Sequence, residues 1–215
     1  MRLLVFNPNT NGALTEELVT RARECLAPHE VKGLTAASGA RYIADAQGMA
    51  QARAAALESL TRGRVNAYDA VLLACFGDPG LDVLKQRLHR PVFGLAECAF
   101  AEALRRFGRF GVVTGGQDWP PLIRDLTDKT GYGAALVDVR AIEFFGEAAR
   151  ANPNRTLHAL HHEAQTLIVR HGPIGIVLGG TGLAPWADPL SALLGFPVLC
   201  SWRAGLDRVV EHFGS

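Results

Sequence analysis

Short apolar runs recur along this chain at Leu3–Phe6, Val71–Ala74, Phe110–Val113 and Ile174–Leu178, with helix-like stretches between them. Runs this short and this apolar read as strands covered on both faces, and their alternation with helices predicts an α/β fold with mainly parallel sheet. The punctuation also repeats. Phe6-Asn7-Pro8-Asn9-Thr10 opens the first half as Val112-Val113-Thr114-Gly115-Gly116 opens the second, and Thr10 and Thr114 lie 104 positions apart. Cys75 and Gly180 are 105 apart, Pro91 and Pro197 106. A nearly constant offset predicts two similar lobes related by a pseudo-twofold, residues 1–96 plus 201–215 and residues 97–200. Strand ends carrying Cys75 and Gly180-Thr181 would then border a ligand cleft between the lobes.

Composition narrows the partners. With 22 basic and 21 acidic residues there is no nucleic-acid footprint and no attraction to an anionic membrane. Met1 leads straight into a strand-like run rather than a charged leader, and no apolar stretch is long enough to span a bilayer. The expectation is a cytoplasmic homo-oligomer acting on a small molecule, its four cysteines reduced. Cys25 falls on a helical stripe with Leu14, Leu18, Ala22 and Leu26 and reads as core, and Cys98 as helix packing.

Cys75 is different. It closes the run Val71-Leu72-Leu73-Ala74 and precedes Phe76-Gly77-Asp78-Pro79-Gly80, where Asp78 and Pro79 read as the N-cap and first position of a helix. A strand's carboxyl end before a helix N-terminus is where open α/β sheets place ligands, and the helix dipole there is expected to lower a thiol's pKa.

Several motifs together resemble the aspartate/glutamate/hydantoin racemase superfamily, hydantoin and allantoin racemases above all. They are Asn7-Pro8-Asn9-Thr10, the Cys75-Phe76-Gly77-Asp78-Pro79-Gly80-Leu81-Asp82 block, Gly94-Leu95-Ala96-Glu97, Val112-Val113-Thr114 and Leu178-Gly179-Gly180-Thr181-Gly182, in order across nearly the whole chain. The resemblance implies a two-lobed α/β enzyme that works without cofactor or metal, one cysteine from each lobe addressing opposite faces of a substrate α-carbon. It implies a five-membered ureide as substrate, with Asn7, Asn9, Thr10, Ser38, Phe76, Gly77, Thr114, Gly115, Gly179, Gly180 and Gly182, or their counterparts, around it. One departure matters. Where that branch has a second cysteine, this chain has Gly180.

Removing a proton alpha to a carbonyl needs a base on one face and donors for the oxygen that gains charge, a task suited to glycine-rich strand ends. Inversion needs a second acid, and glycine has none. Thr181 is adjacent, but a hydroxyl titrates far above a thiol's usual value of about 8.5. Cys200, the counterpart of Gly94 by offset, is a poor replacement. Three outcomes stay open: racemisation by Cys75 with Thr181 or water as a weak partner, a single-cysteine decarboxylase or lyase of malonate-like acids, and a ligand binder without catalysis.

Other motifs carry less. Gly179-Gly180-Thr181-Gly182 lacks a P-loop lysine and the Gly-x-Gly-x-x-Gly spacing. His158, His161 and His162 read as a solvated helix flank rather than metal ligands. Trp186, in a loop near the expected cleft, reads equally as pocket lining, lobe packing or a subunit contact.

Overall fold

The computed structural model describes residues 1–61 and 65–214. The chain forms two compact units, one of Met1–Leu95 with Gly205–Ser215 and one of Ala96–Ala204.

The first unit runs β1 (Arg2–Asn7), α1 (Gly12–Leu26), β2 (Glu30–Thr35), α2 (Ala46–Thr61), β3 (Ala70–Leu73), α3 (Leu81–Arg87) and β4 (Val92–Gly94). Its sheet has the order β2-β1-β3-β4, every pair parallel. All four β3 residues are buried, as an apolar run demands when helices cover both faces of a sheet. On one face Leu4, Phe6, Val71 and Leu73 form a core with Ala56 and Leu60 of α2 and Leu84 of α3. Asn11 caps α1 by accepting from the Leu14 N–H at 3.3 Å, so that helix begins right after the β1 loop.

Helix α4 (Leu95–Phe107) leads into the second unit, which holds β5 (Phe110–Gly115), α5 (Trp119–Thr130), β6 (Leu136–Ile142), α6 (Gly146–Ala151), α7 (Pro153–His171), β7 (Gly175–Leu178), a 3-10 stretch (Thr181–Trp186), α8 (Ala187–Leu194) and β8 (Val198–Cys200). The final helix is α9 (Ser201–Phe213). The second sheet repeats the order of the first, β6-β5-β7-β8, again all parallel. Phe100 of α4 stacks on Phe110 of β5 at 5.5 Å, and Leu160, Ala164 and Leu167 of α7 are fully buried. The expected α/β fold with mainly parallel sheet is therefore present in both units.

Register refines the internal comparison. Phe6 pairs with Leu73 and Leu73 with Gly94, while Val113 pairs with Leu178 and Leu178 with Cys200. Cys75 and Gly180 each stand two residues past their strand, so that correspondence holds in the topology. The pairing of Thr10 with Thr114 does not. Thr114 follows Val113 as Asn7 follows Phe6, which makes Asn7 its counterpart and leaves Thr10 in the loop beyond β1. Cys25 also departs from expectation: Leu14, Leu18, Ala22 and Leu26 are buried, but Cys25 is exposed in the last turn of α1.

Candidate active site

In the first unit the chain turns tightly after β3. The Ala74 N–H donates to the Phe6 carbonyl at 2.8 Å, which keeps the segment in the sheet one residue past the strand. The Asp78 N–H then returns to the Cys75 carbonyl at 3.1 Å, and the Leu81 N–H to the Asp78 carbonyl at 3.1 Å. Asp78 takes φ 45°, the left-handed region that Asp tolerates better than most side chains, and among the described residues no other non-glycine does so. Gly80, also left-handed, precedes the first residue of α3. Asp78 and Pro79 thus do not start the helix as their sequence suggests; the cap has moved two residues on, because the turn must bring the Asp78 side chain inward. A Cβ on Gly94 would lie 2.3 Å from Asp78 Oδ2, so the buried carboxyl fills the space that a β4 side chain would need.

These contacts reverse the electrostatic expectation for Cys75. Its thiol is buried, and burial pushes its pKa from an ordinary 9.0 to about 12. The Gly77 backbone N–H donates to the sulfur and opposes that rise, whereas the Asp78 carboxylate adds to it. The helix that was to supply a dipole begins at Leu81, six residues away and only seven residues long. At neutral pH the Cys75 thiol of the ligand-free chain keeps its proton.

Asn7, Asn9 and Thr10 follow β1, the neighbour of β3. Asn9 is buried and Thr10 half-buried, the Thr10 N–H donating to the Ala40 carbonyl at 3.1 Å. That bond ties the loop after β1 to the loop after β2, where Ser38 is exposed. Asn7 has no exposure at all. Phe76 and Gly77 are buried within the Cys75 turn.

The second unit builds its own strand-end turn. The Thr114 hydroxyl donates to the Gly179 carbonyl at 3.1 Å, and the Gly179 N–H to the Val113 carbonyl at 2.9 Å. Thr114 has therefore spent its one hydroxyl proton inside the unit. Gly115 is packed closely, since a Cβ there would lie 2.9 Å from the Phe144 carbonyl oxygen. Gly180 adopts φ 108° and ψ 125°, a conformation that L side chains rarely take, yet an added Cβ would meet nothing within 4 Å. Thr181 opens the 3-10 stretch and is buried; Gly182 is half-buried with open space at its Cα. Trp186 is a packing residue, its Nε1 donating to the Pro153 carbonyl at 3.1 Å. His158 and His162 are exposed and His161 half-buried on α7, and among the described residues no group of three or more metal-ligating side chains occurs.

One arrangement was not legible beforehand. Cys200 ends β8 and caps α9: the backbone N–H groups of Trp202 and Arg203 donate to its sulfur, although burial still leaves its pKa raised. A small polarisable residue at the last strand position before an amphipathic stretch was the signal.

Three comparisons bear on the chain as a whole. The family described as Asp/Glu/Hydantoin racemase matches residues 3–209. A hydantoin racemase of Paenarthrobacter aurescens is 31% identical over 213 residues, which covers 98% of this chain and 90% of that protein. Allantoin racemases from Klebsiella pneumoniae and Pseudomonas fluorescens superpose with a TM-score of 0.89 each at 28% identity, over 100% of this chain and 89% and 92% of theirs. Among the described residues, no helix is long and apolar enough to cross a membrane.

Proposed function

The chain belongs to the Asp/Glu/hydantoin racemase family and is an enzyme of the racemase type, and from that premise we propose that it moves a proton at the α-carbon of a small hydantoin-like ureide, or of an amino-acid-like acid, through Cys75. The observation that carries this reading is the turn after β3: a buried thiol two residues past a central strand, its sulfur held by the Gly77 N–H. Backbone groups at Gly77, Gly115, Gly179, Gly180 and Gly182, with Asn9, Thr10, Ser38, Phe76 and Thr114, supply the substrate contacts. Thr181 is the second, weaker proton partner. No cofactor enters, because the α-hydrogen beside a carbonyl is acidic enough for acid–base chemistry alone once the developing oxyanion is held.

The chemistry runs in two steps. Cys75, having lost its proton to solvent, takes the α-hydrogen as electron density moves to the carbonyl oxygen. Return of a proton to the carbon then fixes the configuration. The same face restores the starting enantiomer; the opposite face inverts it, and there a thiol would do far better than a threonine hydroxyl. The test is solvent deuterium entering the α-position of allantoin or 5-methylhydantoin, abolished by Cys75→Ser. Folded protein that exchanges neither compound would contradict the proposal.

A second reading draws on the protonated state of Cys75 and the bare backbone at Gly180. A thiol that holds its proton suits delivery to a carbanion left by loss of carbon dioxide from a malonate-like acid. That reaction would yield one enantiomer, whereas racemisation carries either enantiomer towards a mixture.

A further inference from the structure

Asn7, Asn9 and Asn11 form a buried polar network whose partners leave no freedom in how the amides point. Asn7 Oδ1 accepts from the Asn9 backbone N–H at 3.2 Å, and Asn7 Nδ2 donates to the Asn11 carbonyl at 3.1 Å. A backbone N–H can only donate and a carbonyl only accept, so these two bonds fix which end of the Asn7 amide is which. The same Nδ2 reaches Asn9 Oδ1 at 2.8 Å and Thr15 Oγ1 at 3.0 Å, and Thr15 is tied to Thr35 at 2.7 Å. Asn9 is fixed twice over. Its Oδ1 accepts from Asn7 Nδ2 and also from the Asn11 backbone N–H at 2.9 Å. The oxygen end of Asn9 is thus turned inward and saturated, and nothing among the described residues accepts from its Nδ2.

Asn9 stands two residues past the end of β1, and Cys75 two past the end of the adjacent β3. The network therefore decides the polarity of the strand end beside the thiol. We infer that Asn7 is a positioning residue that stays out of contact with ligand and holds Asn9 with its Nδ2 outward, making this strand end a donor site for an acceptor oxygen, carbonyl or carboxylate, of the substrate. The inference rests on the proposed function for the identity of that substrate. It also deepens it: a ring N–H cannot occupy this position, so a ureide binds with a carbonyl oxygen towards Asn9.

Two measurements on the full chain test this. In amide-resolved NMR of the free protein, the Asn7 carboxamide protons exchange with solvent roughly a hundredfold more slowly than those of Asn9, because the first pair donates within the network and the second meets no acceptor among the described residues. In α-proton exchange with allantoin and 5-methylhydantoin, Asn9→Asp raises KM about tenfold by replacing a donor with an acceptor. Asn7→Asp, which removes the donor that pins Asn9, raises KM in the same direction, and the double variant is no worse than Asn9→Asp alone. Equal protection of the two carboxamides, or an Asn7→Asp variant that loses thermal stability while keeping the wild-type KM, overturns the inference, as does an unchanged KM in Asn9→Asp. Absence of α-exchange by the wild-type chain overturns the racemase reading instead, and the NMR protection pattern then still decides whether Asn9 is locked.

Discussion

The turn after β3 and the turn after β7 occupy the same place in two sheets of the same order, and they are built for opposite ends. Around Cys75 the chain folds inward: the Gly77 N–H on the sulfur, Asp78 in a left-handed conformation, and a carboxyl packed where Gly94 has no side chain. At Gly180 the backbone is just as unusual but the space beside its Cα is open. One strand end has accepted strain and a buried acid to hold a thiol; the other has kept room where a thiol would fit and has none.

The largest effect should come from removing the chemistry that remains. Cys75→Ser is isosteric but far less acidic, and α-proton exchange is expected to fall by about 10²- to 10⁴-fold, the usual contribution of a positioned acid–base group. Deuterium uptake followed by NMR checks it, with unfolding measured in parallel.

Gly180→Cys would sharpen the contrast from the other side. The added side chain meets no atom within 4 Å, so its cost is the backbone at φ 108°, about 1–2 kcal/mol, read as a fall of several degrees in Tm. Inversion of a single enantiomer is expected to rise about tenfold, since a thiol titrates much closer to neutrality than a hydroxyl. An inversion rate no higher than wild type would break the comparison.

Gly94→Ala tests how the Cys75 turn is packed. Its Cβ would collide with Asp78 Oδ2 at 2.3 Å and Leu81 Cδ2 at 2.5 Å, a cost of about 1–3 kcal/mol in denaturant unfolding. The corresponding substitution at Cys200, Cys200→Ala, removes a helix cap and should cost about 1 kcal/mol.

A smaller signal lies in pH. The Cys75 thiol titrates near 9.0 when unfolded and about 12 when folded, so between these values the folded chain holds more protons than the unfolded chain. Stability is therefore present in full below pH 9 and falls as pH rises through the folded value. Alkylation should follow the same order, with exposed Cys25 reacting at neutral pH and Cys75 only as the medium becomes strongly alkaline. Rapid modification of Cys75 at pH 7 would contradict its burial.

Much of this was readable in the chain itself. Four apolar runs placed β1, β3, β5 and β7 to within two residues, and the position of Cys75 followed from where one run ended. The state of its thiol was not readable. Asp78-Pro79 has the composition of a helix start, and only the packing of the Asp78 carboxyl against β4 shows that the helix begins later. Asn7 looks like a turn residue, but its register on β1 buries it completely, and the hydrogen-bond network it makes there depends on that register. The bond that the Thr114 hydroxyl donates to the Gly179 carbonyl was likewise unreadable, because the two residues meet only across neighbouring strands of their own sheet.

On the proposed reading, proton traffic at the α-carbon runs through Cys75, while position 180 carries a glycine and no thiol. Incubating one enantiomer of 5-methylhydantoin or allantoin in D₂O and following deuterium uptake and optical inversion together measures it directly. Uptake is expected to outrun inversion by a wide margin, with both lost in Cys75→Ser. Inversion that keeps pace with uptake, or either process surviving in Cys75→Ser, would contradict it.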